Sequence, residues 1–184
     1  MIAMIGKLFI NAERLKNYCI KKYYKKQFKS CGKNVYIGNG CSFTCNAISI
    51  GNDVSIGRNC CMQSTHGEII IGNHIMFGPG VHIHGGNHKI HEIGKLMKEV
   101  EKTDSDSDGK VIIEDDVWIG ANAIILKGVT IGKGSVVGAG AIVSKDVPRY
   151  SIYTGSPEPL LRARFSEEEI ERHESCLRER GIIV

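Results

Sequence analysis

An aliphatic side chain returns every sixth residue through the middle of this chain, and that period limits what it can fold into. From Ile113 the series runs Ile113, Ile119, Ile125, Ile131, Val137, Val143. A small or β-branched residue stands four places after each, at Val117, Ala123, Val129, Ser135, Ala141 and Val147. The same phase holds upstream at Ile50, Ile56 and Met62, and again at Ile71, Phe77 and Ile83. The dipeptide Ile-Gly recurs at 37–38, 50–51, 56–57, 71–72, 119–120 and 131–132. Period six is neither helical nor simple strand alternation. It fits a strand of a few residues followed by a sharp turn, three such units closing a triangular coil of about 18 residues. The aliphatic residue then points inward and stacks on its counterpart one coil away. Neighbouring coils pair as parallel strands about 4.8 Å apart. Residues 35–83 and 111–148 supply roughly five coils, a stack about 24 Å tall.

Composition agrees with tight, repeated turns. There are 22 Gly but only 4 Pro in 184 residues, which argues against a disordered tract. Aromatics are few, so the core is aliphatic and stacked. The seven Cys are an odd number. Lys7 interrupts the apolar start of the chain and no small-residue cleavage site follows, so no secretory leader is read there. No apolar run approaches the roughly 18 residues of a membrane span. The cysteines are expected to be reduced thiols of a cytoplasmic protein, buried as small hydrophobes. Cys41, Cys45, Cys60 and Cys61 lack paired ligand sets at zinc spacing.

Three segments follow. Residues 1–34 form a basic helical segment, with Ile2, Ile5, Phe9, Ala12, Leu15 and Cys19 on one apolar face of a helix over 2–29. Such a helix is expected to cap the open first coil. Residues 1–33 hold nine Lys or Arg and one acid, Glu13. That balance suits nucleic acid, anionic lipid or a phosphate-bearing substrate, and equally a solvated helix. Residues 35–148 form the β-helix, interrupted by a loop at 84–110. Residues 149–184 are an extension in which Pro148, Pro157 and Pro159 break the repeat. There Ser166 and Glu169 form a capping box that starts a helix over 167–179, ending near Gly181. The loop carries His84, Gly85-Gly86, Asn87, His88, His91 and an acidic stretch at 104–108. A loop this long in a regular solenoid is usually functional. The acidic stretch resembles the start of an EF-hand. Its twelfth position is Asp115, however, and the exiting helix would overlap the repeat, so a solvated acidic loop is expected.

The repeat resembles the hexapeptide-repeat family of left-handed β-helix proteins, in its sugar and polysaccharide O-acetyltransferase branch, over about 35–165. The expected fold is therefore an all-β solenoid, a left-handed parallel β-helix with a helix at each end and a long inserted loop. The hand comes from the resemblance alone, because parallel crossovers are otherwise right-handed. Many members transfer an acyl group from acetyl-CoA and carry an essential His in a loop beyond a Gly-Pro-x-Val type turn. Here Gly78-Pro79-Gly80-Val81 leads to Gly85-Gly86-Asn87-His88, so the resemblance implies His88 as general base. Transfer to a hydroxyl needs a base working near neutrality, and imidazole, titrating near about 6.5, suits it. His82, His84 and His91 stand close in sequence. A metal site among them would instead point to the zinc-dependent hydratase branch, although no metal is expected.

For the acetyl-CoA donor, the resemblance implies Trp118 lining a channel and backbone contacts at Ala121 and Ala139. It adds the Ser144-Lys145 pair and Arg162. Relatives often read Gly-Asn-Pro-Ala-Lys after the last coil; this chain has Pro159 where a cation commonly stands, which leaves nucleotide phosphates to Arg162, helped by Arg164 or Lys145. On the acceptor side it implies Asn59 and His66. Relatives commonly place Asp at position 66, so Glu68 or Glu92 is left to supply a carboxylate. The implied function is acetyl transfer to a sugar hydroxyl in surface polysaccharide biosynthesis, by a homotrimer with channels at its seams. The alternatives are N-acetylation of a nucleotide-linked amino sugar and a non-catalytic β-helix scaffold. The expected site of action is the cytoplasm, with weak association at the membrane surface and no nucleic-acid partner.

Overall fold

The structure, a computed structural model, describes residues 2–88, 96–100, 108–155 and 160–182. Its body is a stack of short strands in three sheets. The first orders Ser30–Cys31 (β1), Ile48–Ile50 (β4), Ile69–Ile71 (β7), Val111–Ile113 (β10) and Thr130–Ile131 (β13). The second orders Tyr36–Ile37 (β2), Ser55–Ile56 (β5), Met76–Phe77 (β8), Trp118–Ile119 (β11), Val136–Val137 (β14), Ser151–Thr154 (β16) and Leu160–Ala163 (β17). The third orders Ser42–Phe43 (β3), Cys61–Gln63 (β6), His82–His84 (β9), Ile124–Ile125 (β12) and Ile142–Val143 (β15). From β1 to β15 successive strands fall in successive sheets and pair in parallel one coil apart, as the period of six requires.

The six-residue series becomes three columns of stacked side chains. In the second sheet Ile37, Ile56, Phe77, Ile119 and Val137 lie in register, all buried. Met62, Ile83, Ile125 and Val143 do the same in the third sheet, above half-buried Phe43. A strand side chain alternates faces. The residue before each buried one therefore points outward, and Tyr36, Met76 and Trp118 are exposed.

Two kinds of glycine serve the corners. In the Ile-Gly pairs the reason is close approach, since a Cβ on Gly38 would lie 2.5 Å from the Gly57 carbonyl oxygen. At the corner between the second and third sheets the reason is left-handed backbone. Gly40, Asn59, Gly80, Asn122 and Gly140 all have positive φ there, between 56° and 75°. Asn is among the few residues besides Gly that tolerate it.

Parallel pairing begins before residue 35, with β1 on β4, and continues past 148, with β16 on β14. β17 then folds back antiparallel on β16, which the hexad pattern does not foretell. The first helix, α1 (Ile2–Gln27), touches the body only at its far end. Tyr24 and Phe28 meet Phe43 edge-on at 5.0 and 5.3 Å, and the Tyr24 hydroxyl donates to the Cys41 carbonyl at 3.2 Å. Residues 4–16 are all exposed. The small apolar end of the first coil is filled by two aromatics, so the expected cap is made by the last turns of the helix and not by its Ile5–Cys19 face. The second helix, α2 (Glu167–Glu179), starts on the anticipated capping box. The Glu169 N–H donates to Ser166 Oγ at 3.2 Å, and the Ser166 N–H to Glu169 Oε2 at 2.8 Å. Glu174 ties it down by accepting from the Tyr150 hydroxyl at 2.9 Å and Lys133 Nζ at 3.3 Å.

All seven cysteines are free. Those in the β-helix are buried or half-buried, whereas Cys19 and Cys176 on the helices are exposed. No helix among the described residues is long and apolar enough to cross a membrane.

Candidate active site

The loop leaves the stack at the end of β9 and returns at β10. Ile83 points into the core, so its neighbours His82 and His84 face outward, half-buried, their rings stacked 5.8 Å apart. The chain then passes Gly85 and Gly86 and reaches His88, whose side chain is exposed. The returning strand closes the foot of this loop. Gly86 forms an antiparallel bridge with Asp108, and the Gly109 N–H donates to the Gly85 carbonyl at 2.9 Å.

Asp108 is the residue that sequence reasoning missed. Its place at the end of the acidic stretch 104–108 predicts a solvated side chain. Instead its Oδ2 accepts the His66 backbone N–H at 2.7 Å, and its Oδ1 is buried with no hydrogen-bond partner among the described residues. Ser64 Oγ, just past the end of β6, is likewise buried and without a partner among the described residues. A side chain on Gly85 would collide with Ser64, and one on Gly86 with Asp108. The two glycines therefore make room for two polar groups that cost about 1–3 kcal/mol each while unsatisfied. The only sequence signal was the Gly-Gly pair two residues before His88.

Of the other acceptor-side residues, His66 is joined to this point and Asn59 stands at a different corner. His66 lies exposed on the β6–β7 connection, joined to the loop foot through its N–H. Asn59 sits at the corner between the second and third sheets with φ of 56°, its amide placed over Gly40. Asn122 occupies the equivalent place over Gly80, so turn formation accounts for Asn59. Glu68 is engaged elsewhere. It pairs with Lys29 and lies 4.0 Å from Lys110 Nζ, and the Lys29 hydrogen bond holds its carboxyl below the usual range. Glu92, His91 and residues 104–107 lie outside the described residues, as do Pro157 and Pro159. Among the described residues no three His, Cys, Asp or Glu side chains converge on a common point.

The donor-side residues wrap one corner of the prism. Trp118 stands on the outer face of the second sheet, between Met76 on one rung and Val136 on the next. That column continues through Ile152 to Arg162, so Trp118 and Arg162 share a line three rungs, roughly 14 Å, apart. Ala121 and Ala139 stack at the adjoining corner, where the Gly140 N–H donates to the Ala121 carbonyl at 2.8 Å. Ser144 and Lys145 are exposed just after β15, on the third sheet, which also carries β9 and the loop. Trp118, Arg162, Ser144 and Lys145 are solvent-facing side chains. Within one chain they sit on two faces that meet at the Ala121–Ala139 corner.

Comparison with known proteins matches residues 110–145 to a family described as the hexapeptide repeat of succinyl-transferase. A galactoside O-acetyltransferase of Lactococcus lactis is 35% identical over 135 residues, 72% of this chain and 62% of the relative. A chloramphenicol acetyltransferase of Escherichia coli is 52% identical over 62 residues, 34% of this chain and 30% of the relative. The chain thus spans less than two thirds of the length of these curated relatives. Among solved structures, a maltose O-acetyltransferase of Clostridium difficile aligns with TM-score 0.69 and 28% identity, covering 80% of this chain and 75% of that one. A hexapeptide-repeat acetyltransferase of Vibrio cholerae, complexed with acetyl coenzyme A, aligns with TM-score 0.67 and 29% identity, covering 83% and 79%. These likenesses imply a left-handed winding for the stack.

Proposed function

Because the chain belongs to the hexapeptide-repeat acyltransferase family, we propose that it transfers an acetyl group from acetyl-CoA to a sugar hydroxyl, with His88 as general base. The observation that carries this reading is the point where the chain leaves the stack at the end of β9. There an exposed His88 stands two residues beyond a glycine pair held against Ser64 and Asp108. The likeness to galactoside and maltose O-acetyltransferases supports a sugar acceptor. A role in surface polysaccharide biosynthesis, in the cytoplasm, follows the same line.

In this mechanism the His88 imidazole takes the proton of the acceptor hydroxyl as its oxygen attacks the thioester carbonyl. The C–S bond then breaks, and the imidazolium returns the proton to the departing CoA sulfur. Pantetheine is long and rich in amides, which suits the backbone at exposed Ala139 and half-buried Ala121 on the corner next to the Trp118 strand. Arg162, three rungs up the Trp118 column, and Lys145 supply charge for phosphates. On the acceptor side Asp108 takes the carboxylate role that Glu68 is too engaged to fill, with Ser64 and His66 around it. Because donor residues occupy two faces, a homotrimer would complete each channel with a neighbour's face.

The test is CoA thiol release with a panel of mono- and oligosaccharides. His88→Ala is expected to lower kcat by at least about 100-fold while leaving folding and assembly intact. Unchanged turnover in that variant would remove His88 from the reaction. A second reading, an amine acceptor, draws on a Staphylococcus aureus N-acetyltransferase of tetrahydropyridine dicarboxylate that is 58% identical over 53 residues. Amino sugars in the same panel decide between the two. No release with any acceptor would favour a non-catalytic scaffold.

A further inference from the structure

We propose that α1 is a docking element for an anionic lipid surface, lying in the headgroup region with its apolar side down and holding the β-helix against the membrane. This goes beyond the transfer reaction and does not depend on it. The helix is 26 residues long, about 39 Å. Only its last turns rest on the body, through Tyr24 and through Lys16, Asn17, Ile20 and Lys21, which line a cavity with residues 37–41. Met4, Leu8 and Phe9 are each at least 70% exposed, and Ile5, Leu15, Tyr18 and Tyr23 are also exposed. Scattered apolar side chains on a surface need no explanation, but so many on one element mark an interaction site. A free helical segment of this length is marginal in water, and most helices gain their stability from a covered apolar face.

The pattern on the helix says what covers it. Met4, Leu8, Ala12, Leu15, Cys19 and Tyr23 follow one another at steps of three or four and form a continuous stripe. Ile5 and Phe9 widen it beyond a narrow coiled-coil seam. Lys7, Arg14, Lys21 and Lys25 run along the other side, while Lys22 and Lys26 close the stripe at its C-terminal end. The helix holds seven Lys or Arg against one acid, Glu13. A second copy of α1 would therefore bring like charges together with almost no acids to pair with, so self-association of the helix is disfavoured. Nucleic acid would use the cations and leave the apolar stripe bare. An anionic bilayer satisfies both sides, as for interfacial amphipathic helices rich in Lys and Arg. The rest of the chain carries more acids than bases, so the field of the lipid draws in the helix and turns the body away.

The experiment is vesicle co-sedimentation of the full chain. Phosphatidylcholine vesicles are compared with vesicles containing phosphatidylglycerol, at low and at physiological salt. Wild type is expected to bind the anionic vesicles at least about tenfold better, and salt should weaken this without abolishing it. The Leu8→Asp/Phe9→Asp double variant and a separate Lys7→Glu/Arg14→Glu variant are expected to lose most of the binding. Neither pair touches the β-helix, so both should keep the same melting transition and solution activity as wild type. A Leu8→Trp probe should blue-shift on adding anionic vesicles. Wild type remaining in the supernatant, or all variants pelleting equally, overturns the proposal. So does sedimentation equilibrium showing that Leu8→Asp/Phe9→Asp lowers the oligomeric state, which would assign the face to another copy. Binding to a polyanion such as RNA but not to vesicles would also overturn it.

Discussion

Trp118 and Ile119 are adjacent in sequence and opposite in environment, and substituting each for Ala should separate stability from binding. Ile119 is fully buried between Phe77 and Val137 on neighbouring rungs. Ile119→Ala removes three carbons from a packed column, worth about 2.4 kcal/mol at roughly 0.8 kcal/mol per buried CH₂. A coil held above and below by backbone ladders cannot collapse onto the gap, so a cavity cost adds to this and the total becomes about 3–4 kcal/mol. For a chain of this size, that lowers the melting temperature by roughly 6–16 °C. Trp118 is half exposed on the outer face, and Trp118→Ala should change stability by no more than about 0.5 kcal/mol. It should instead raise the KM for acetyl-CoA roughly tenfold, the loss of about 1.4 kcal/mol of binding. Urea unfolding at fixed protein concentration, with donor kinetics on the same preparations, reads both effects. Equal destabilisation by the two substitutions would refute the assignment of their faces. A loss below about 1 kcal/mol at Ile119 would refute the rigid-column argument.

Three further outcomes are expected. Asp108→Asn keeps the shape at the loop foot and removes the charge; it should raise the acceptor KM or lower kcat while leaving the donor KM unchanged, whereas Gly86→Ala should abolish turnover by driving a methyl group into Asp108. Of the neighbouring thiols Cys41 and Cys60, Cys41 should react first with iodoacetamide, because its contact with Cys60 holds the Cys41 thiol below its ordinary range, while the same contact and burial push the Cys60 thiol up; peptide mapping after partial alkylation checks the order. The Tyr150 hydrogen bond, with Lys133, holds the Glu174 carboxyl below its ordinary range, so its contribution to docking α2 is present above the ordinary carboxylate pKa and is lost as pH falls through the depressed one. Protease susceptibility of residues 164–182 should rise over that acid window, and Tyr150→Phe should reduce the pH dependence.

The stack was readable because a period of six has one economical solution. Ile113 to Val143 announced both the inward columns and the outward positions, including the exposure of Trp118. The capping box at Ser166 was readable for the same local reason. β17 was not, since its pairing with β16 depends on a chain reversal that no periodicity encodes. The role of α1 was half readable: its apolar stripe is plain, but that Tyr24 and Phe28 would make the contact depends on the size of the open coil end.

The candidate site divides the same way. His88 followed from motif and loop length. Asp108 did not, because a carboxylate in an acidic run looks solvated until the return strand brings it across from Gly86. Asn59 followed from motif too, yet its conformation matches that of Asn122, which the corner geometry alone explains. By itself the sequence determined the repeat, the inward and outward faces, and the place where the repeat breaks, because each depends on neighbours a few residues away. The tertiary structure decided which polar groups meet at the foot of the loop and which face of α1 is left bare. Those outcomes depend on contacts between residues about twenty to forty positions apart, such as His66 with Asp108 and Tyr24 with Phe43.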